Sequence, residues 1–503
     1  MRYVRRCITN TRLLKMREVE MVLKKKDIEL YFQKYITIAN KELEKKRIDN
    51  SLNALFHASA LQHLFNFKLQ DSMIEDIIKR IATTSFSNME YNTEKCIVLF
   101  DSICSSNIAL SMQYLISLRD SNYKIIYVLK PFKSITFATE LIDYATEHLY
   151  GVEVIEDNSI KGISQIREII NKYKPEKILL HFANPDVYAA VAFSNIKSAQ
   201  KYYINHGDEQ FWVGTGIADY VLEFRGMGLD ATVRHRGIPE ERCLVNPYFP
   251  ILKSTAFQGF EFAIPNDSFV IFSGGRFVKV YSESGKFLDV IRIILEKYPN
   301  TFFIFAGSGD KTPMLDYIEK YGLSDRWKVI GYRSDLLEMM KNVDLYLGTY
   351  PQSGALMAQY AAAAGTPIVE MDTNNGGVTE DMLPKLKGWT VTMNNWEEYF
   401  KRVDKLVTDR DFSENFSEAL KSSLVTEKEF QENLMEILTI QKSSVNYVRR
   451  ETNIELRSQR LLEAENRYLH RVPGLMSNKL VLRYYPLTAL HNILNYFRYK
   501  VFN

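Results

Sequence analysis

Apolar residues fall into two regimes along this chain. Over residues 1–92 they recur at helical spacing, as in Ile28, Leu30, Tyr31, Tyr35 and Ile36, with almost no Gly or Pro, which predicts a helical N-terminal region. From Lys95 onward, short continuous apolar runs appear at 96–100, 124–129, 152–155, 177–182, 201–206 and 219–224, separated by helical stretches. A second series follows at 269–272, 301–305, 327–330, 343–347 and 368–371. Strand runs that alternate with helices predict doubly wound parallel sheets, so the fold class is α/β. Residues 396–407 and 412–441 return to polar helical spacing and read as helices that pack back across the first of the two sheets.

The stretch 342–372 condenses this pattern into one unit. A strand at 343–347 runs into the turn Thr349-Tyr350-Pro351-Gln352-Ser353-Gly354; ten helix formers follow from Ala355 to Ala364, ended by Gly365-Thr366-Pro367. A helix entered through a Ser-Gly turn at the carboxyl end of a parallel strand directs unpaired N–H groups and its positive dipole end outward, which suits a diphosphate. Any α/β domain contains such a turn, so its neighbours matter. The run 269–272 opens into Ser273-Gly274-Gly275-Arg276-Phe277-Val278-Lys279, 301–305 into Ala306-Gly307-Ser308-Gly309-Asp310, and 327–330 into Gly331-Tyr332-Arg333-Ser334-Asp335. Four successive strands thus deliver Gly-rich or polar loops to one edge of one sheet.

Composition narrows the class. With 503 residues, 46% hydrophobic and 25% charged, the chain can bury two or three cores. A net charge of +3 implies no polyelectrolyte partner, and no nucleic-acid-binding module accompanies the local charge. Cys7, Cys96, Cys104 and Cys243 lack metal-ligand spacing, no apolar leader follows the first basic residues, and no window is long and apolar enough to span a bilayer. A reducing cytoplasm is the expected compartment, with a second expectation of peripheral contact at the inner face of the membrane. That expectation rests on the basic first 26 residues and on residues 466–503, which contain no Asp or Glu and interleave Arg467, Arg471, Lys479, Arg483, Arg498 and Lys500 with aromatic and aliphatic residues. Solvated helix faces, or docking on the protein itself or a partner chain, are the alternatives.

The order SGGRF..K, FIFAGSGD, KVIGYRSDL and YPQSGALMAQYAAAAGTPIVEM resembles the donor-binding half of a GT-B glycosyltransferase, and its last segment is most similar to the O-GlcNAc transferase and bacterial cytoplasmic protein-glycosyltransferase branch. The resemblance spans roughly residues 95–400 and implies two Rossmann-like domains holding a nucleotide-diphospho-sugar, a UDP-sugar being favoured, with no cofactor and without a metal. It implies a helical region at 1–92, an acceptor-side domain at 93–262, a donor domain at 263–440 and a basic aromatic tail at 441–503. On the donor side it implies Gly275, Arg276, Lys279, Gly307, Tyr332, Arg333, Ser353, Gly354, Ala355, Leu356 and Gln359, with Lys279 also stabilising the leaving diphosphate. Asn374, Asn375 and Gly376 would line the sugar. Gln359 or Tyr360 stands where such enzymes commonly carry an acidic ribose ligand.

Two strand ends offer acceptor-side chemistry. KILLHFANPD brings His181, Asn184 and Asp186 to a carboxyl edge; KYYINHGDEQFWVG brings His206, Asp208 and Glu209 to another. An inverting transfer needs a base for the acceptor hydroxyl proton, and His206 or Asp208 would supply it. A strand-capping His is the competing reading of His206. Arg234, His235 and Arg236 read mainly as surface charges. The expected function is sugar transfer from the nucleotide to a glycan, lipid-linked or protein acceptor. A catalytically silent GT-B subunit that supports a partner transferase is the alternative, motivated by the missing acidic ribose ligand and a glycine-poor loop at 101–107; a sugar-nucleotide epimerase is a third reading.

Overall fold

A computed structural model of the chain describes residues 23–104, 108–130, 139–155, 157–252, 255–373 and 379–466. Two parallel sheets organise it. The first has strand order β3-β2-β1-β4-β5-β6-β7, built from β1 (Glu94–Asp101), β2 (Lys124–Leu129), β3 (Gly151–Val154), β4 (Pro175–His181), β5 (Gln200–Ile204), β6 (Tyr220–Glu223) and β7 (Cys243–Val245). The second has order β10-β9-β8-β11-β12-β13, from β8 (Phe269–Arg276), β9 (Thr301–Ser308), β10 (Trp327–Ile330), β11 (Leu345–Leu347), β12 (Ile368–Met371) and β13 (Thr392–Met393). Every pairing in both sheets is parallel, as expected of strands joined by helical crossovers.

Strand order reverses at β1/β4 in the first sheet and at β8/β11 in the second. Loops leaving the carboxyl ends of those strands diverge to opposite sides and leave a crevice between them. In the second sheet these are the loops that carry Lys279 and Ser353.

The N-terminal helices Lys25–Glu44, Ile48–Phe65 and Ser72–Ser85 lie on one face of the first sheet: Phe32, Ile36, Leu55, Ile74 and Ile78 share a core with Val98, Phe100, Ile178 and Leu180. Helix Glu427–Ile440 covers the other face, burying Phe430, Leu434 and Ile437 against Leu115, Leu222 and Phe249. The chain has by then crossed back from the second sheet, against which Arg410–Lys421 packs Phe416 and Leu420. A last helix, Ile454–Ala464, touches both halves. No helix among the described residues is long and apolar enough to cross a membrane. Residues 1–22 and 467–503, which hold most of the basic segments singled out above, lie outside the described residues.

Candidate active site

The two crevices face each other across a cavity of about 300 Å³. From the first domain it is lined by His206 to Gln210, Phe224, Arg225 and Tyr248; from the second by Lys279, Gln352 to Met357 and Met382; from the last helix by Arg457. Of the residues picked from the sequence, His206, Asp208, Lys279, Ser353, Gly354, Ala355 and Leu356 therefore meet in one place.

In the second domain, Lys279 sits in the 3-10 turn Phe277–Val280 that follows β8, and its Nζ donates to the Ser353 carbonyl oxygen at 2.9 Å. Burial lowers its pKa, opposed by the nearby carboxylates of Glu209 and Glu370. Helix Ala355–Ala364 begins at Gly354 with no side-chain cap, so its first-turn N–H groups face the cavity at the positive end of the helix dipole. Gly275 and Gly307 act through their backbones: a Cβ on Gly307 would lie 2.0 Å from the Gly275 carbonyl oxygen, so only glycine lets the ends of β8 and β9 pair this closely.

In the first domain, the loop after β5 is tied down by several contacts. Gln210 N–H closes a turn on the Gly207 carbonyl at 2.9 Å, Phe211 N–H donates to Asn66 Oδ1 at 2.7 Å, and Trp212 stacks on Tyr203 with ring centroids 4.0 Å apart. The loop presents the half-buried His206, whose ring meets that of His181 edge-on at 5.2 Å. His181 lies 3.4 Å from Asp101 Oδ1, and Asp101 is fixed by Ser111 and Tyr127 hydroxyls at 2.5 and 2.9 Å. Burial and the neighbouring His181 and His63 hold the His206 pKa well below the ordinary imidazole range, so the ring is neutral near pH 7 and its imidazolium form is disfavoured in this site.

Between the two sides stands a buried charge network. Arg225 grips Asp208 through two hydrogen bonds, at 2.6 and 2.8 Å, and also donates to Glu209 Oε2. Arg457 reaches Glu209 Oε1 at 2.8 Å. Burial works against the Glu209 charge, but Arg457, Arg225 and Lys279 together bring its pKa down to about 2. Arg236 donates to the Asp208 and Gln210 carbonyls at 2.7 Å each and lies 5.0 Å over the Trp212 ring.

Several expectations are corrected by this geometry. Asp208 is 1% exposed with both carboxylate oxygens on Arg225, and such a pair is a poor base. Arg333 is spent on Asp335, at 2.6 and 2.7 Å, and on the Gly259 carbonyl, so it is not available to a donor; Tyr332 is 83% exposed, and neither lines the cavity. Gln359 is fully buried and its amide donates to the Tyr248 and Met382 carbonyls at 2.8 and 3.2 Å, while Tyr360 donates to the Ile251 carbonyl at 3.2 Å. Neither lines the cavity. Arg276 is exposed and does not line the cavity, and Arg236 is buried instead of being a surface charge. Asn374, Asn375 and Gly376 lie outside the described residues.

The sequence reading missed Arg225, Tyr248, Glu370 and Arg457. Glu370, the third residue of β12, accepts a hydrogen bond from the Thr379 hydroxyl, and burial pushes its pKa up to about 7. A buried carboxylate inside the apolar run 368–371 was the available signal.

Residues 255–423 match the family model described as glycosyl transferases group 1. No curated protein matches the chain in sequence. Among solved structures, a mutant of the Thermobaculum terrenum O-GlcNAc transferase superposes with a TM-score of 0.54 at 15% identity, over 81% of this chain and 80% of that one. Anabaena HepE in complex with UDP-glucose gives 0.53 at 16% identity, over 69% of this chain and 100% of that one. A glycosyltransferase from Rickettsia africae gives 0.53 at 14%, over 69% and 98%. The chain has the GT-B fold, and its second domain, over residues 255–423, carries the glycosyl transferases group 1 pattern.

Proposed function

We infer that the cleft binds a nucleotide-diphospho-sugar and transfers the sugar to an acceptor that enters beside His206. The observation that carries this reading is the convergence of Lys279, the uncapped start of helix Ala355–Ala364 and His206 on one interdomain cavity at the switch point of the second sheet. The family match over residues 255–423 supports sugar transfer, and the HepE structures, solved with UDP and glucose and with UDP-glucose, support a UDP-sugar as the donor class.

In the mechanism, the bond between the anomeric carbon and the β-phosphate oxygen breaks, its electron pair stays on that oxygen, and negative charge grows on the leaving diphosphate. Lys279 and the helix N–H groups meet that charge with preorganised donors, so they are worth more in the transition state than in the ground state. His206, neutral at the start, accepts the acceptor hydroxyl proton as the new C–O bond forms. His181, 3.4 Å from Asp101, packs edge-on against the imidazole and holds its ring in place. Arg225 keeps Asp208 and Glu209 in place and charged, which fixes the loop that carries His206. The basic aromatic composition of residues 466–503 favours an acceptor at an anionic membrane surface, testable by co-sedimentation with phosphatidylglycerol vesicles.

Incubation with UDP-glucose and UDP-GlcNAc, with UDP release followed over time and sugar adducts sought by mass spectrometry, tests the reading. Turnover that is lost in His206→Ala is expected. One observation favours the second reading, a silent subunit: both residues at the place of the acidic ribose ligand, Gln359 and Tyr360, are committed to main-chain carbonyls. Nucleotide binding without UDP release from any donor would select it.

A further inference from the structure

We propose that Arg457, delivered by the last helix, is a second diphosphate-binding cation of the cleft beside Lys279, and that Glu209 acts as its exchangeable counter-anion. The inference rests on the donor-site reading above and adds a residue that no donor-domain motif contains.

A local cap and three ties to the two domains fix the helix Ile454–Ala464 over the cleft. Asn453 caps its start through Leu456 N–H at 3.0 Å, Ser458 Oγ donates to the Asn66 carbonyl at 2.8 Å, and Arg460 holds Glu283 and the Thr373 carbonyl of the donor domain. Arg457, one turn before Arg460, is thereby aimed at the other side of the interface, where it meets Glu209 at 2.8 Å. The direction of each side chain is set by the backbone of a helix pinned at both domains, so little rotamer freedom remains to be lost when an anion arrives.

Arg457 is 7% exposed, lines the cavity beside Lys279 and the start of helix Ala355–Ala364, and has a buried Nε with no hydrogen-bond partner among the described residues. A guanidinium carries five donors, and an unused buried one is costly unless something accepts from it. The charges around it are unequal in commitment. Asp208 is saturated by Arg225, whereas Glu209 is shared between Arg225 and Arg457 and is itself only half-buried. Glu209 thus stands where the lining cations converge, as an internal carboxylate in the position that suits a phosphate. A diphosphate, with more charge and more acceptor oxygens, displaces that carboxylate from Arg457 and takes the Nη2–H it donates and the free Nε–H. No covalent step is involved. The consequence is that donor binding and the docking of the last helix across the two domains are coupled.

A purely structural Arg457–Glu209 ion pair makes the opposite forecast for one variant, which is what the test uses. Pyrophosphate and UDP are titrated calorimetrically into the full chain, into Arg457→Met, which keeps the apolar stem, and into Glu209→Gln, which releases Arg457. The proposal expects Arg457→Met to weaken both ligands about tenfold or more, and Glu209→Gln to tighten pyrophosphate, each with an unchanged far-ultraviolet circular dichroism spectrum. Affinities of Arg457→Met within twofold of the parent, or weaker pyrophosphate binding by Glu209→Gln, would overturn it while leaving the donor site standing. Should Arg457→Met not fold, Arg457→Gln takes its place with the same expected and contradicting results. A parent chain that binds neither pyrophosphate nor any nucleoside diphosphate overturns both this inference and the donor-site reading.

Discussion

Lys279 Nζ donates to the carbonyl oxygen of Ser353 at 2.9 Å, joining the loop after β8 to the loop after β11. These are the two strands between which the order of the second sheet reverses, so the bond spans the crevice where open α/β sheets bind their ligands. It also points a cation at the start of helix Ala355–Ala364. Replacing Lys279 by Ala removes that charge from the leaving diphosphate, and kcat/KM for the sugar nucleotide should fall by about 10² to 10³, read from initial rates of UDP release.

His206 works on the other reactant. His206→Ala should lower kcat by about 10² to 10⁴ while leaving the Kd for UDP within twofold of the parent, because the imidazole takes a proton and does not hold the donor. Equal losses in UDP affinity and kcat would reassign it to donor binding.

Arg225 is the strut of the buried network. Arg225→Met leaves Asp208 charged and without its bidentate partner, which should cost about 3–5 kcal/mol of stability in urea unfolding. Arg225→Met combined with Asp208→Leu should recover most of that loss, since the penalty lies in the orphaned charge and not in the missing pair.

Gln359 separates two accounts of one residue. If its amide clasps the Tyr248 and Met382 carbonyls, as the distances of 2.8 and 3.2 Å indicate, Gln359→Leu should cost about 1–3 kcal/mol of stability and leave the ratio of UDP to 2′-deoxy-UDP affinity unchanged. A collapse of that ratio would restore the ribose role that its position in the sequence suggests.

Glu223 gives a pH signature. Fully buried behind the His206 loop, it accepts from Asn205 at 3.0 Å and Thr232 at 2.6 Å, and burial pushes its pKa from 4.5 up to about 7. The folded state therefore holds a proton that the unfolded chain releases above pH 4.5, so this group's contribution is complete below that pH and is lost as pH rises through about 7. At 1.36 kcal/mol per pKa unit the loss is up to about 3 kcal/mol. Glu223→Gln should make the fall in melting temperature between pH 5 and pH 8 shallower than in the parent.

How far the sequence could be read depended on the range of the interactions. The Ala355–Ala364 helix was legible to the residue because its stop is local: Gly365 takes φ +76° and its N–H caps the Ala361 and Ala362 carbonyls. Central strands were legible as buried apolar runs, whereas Cys243–Val245 and Thr392–Met393 are too short to show any period. Lys279 and Ser353 stood out because strand ends in such sheets converge. Arg457 did not, since it lies on a polar helix whose partners, Asn66, Glu209 and the donor domain, are remote in the chain. Arg333 misled for the opposite reason: its partner is two residues away at Asp335, a local pairing that mimics a free loop cation. Arg236 misled because stacking on Trp212 buries a charge that composition alone places at the surface.

The central claim is that the cleft between the loops after β8 and β11 holds a nucleotide-diphospho-sugar. Thermal unfolding of the parent chain and of Lys279→Ala, each with UDP-glucose, UDP-GlcNAc, UDP and GDP, tests it most directly. At about one hundred times its Kd a ligand adds about 2.7 kcal/mol to folded-state stability, so a clear rise in melting temperature for the UDP series is expected in the parent and little or none in Lys279→Ala. No rise with any nucleotide, or an equal rise in both proteins, would contradict it.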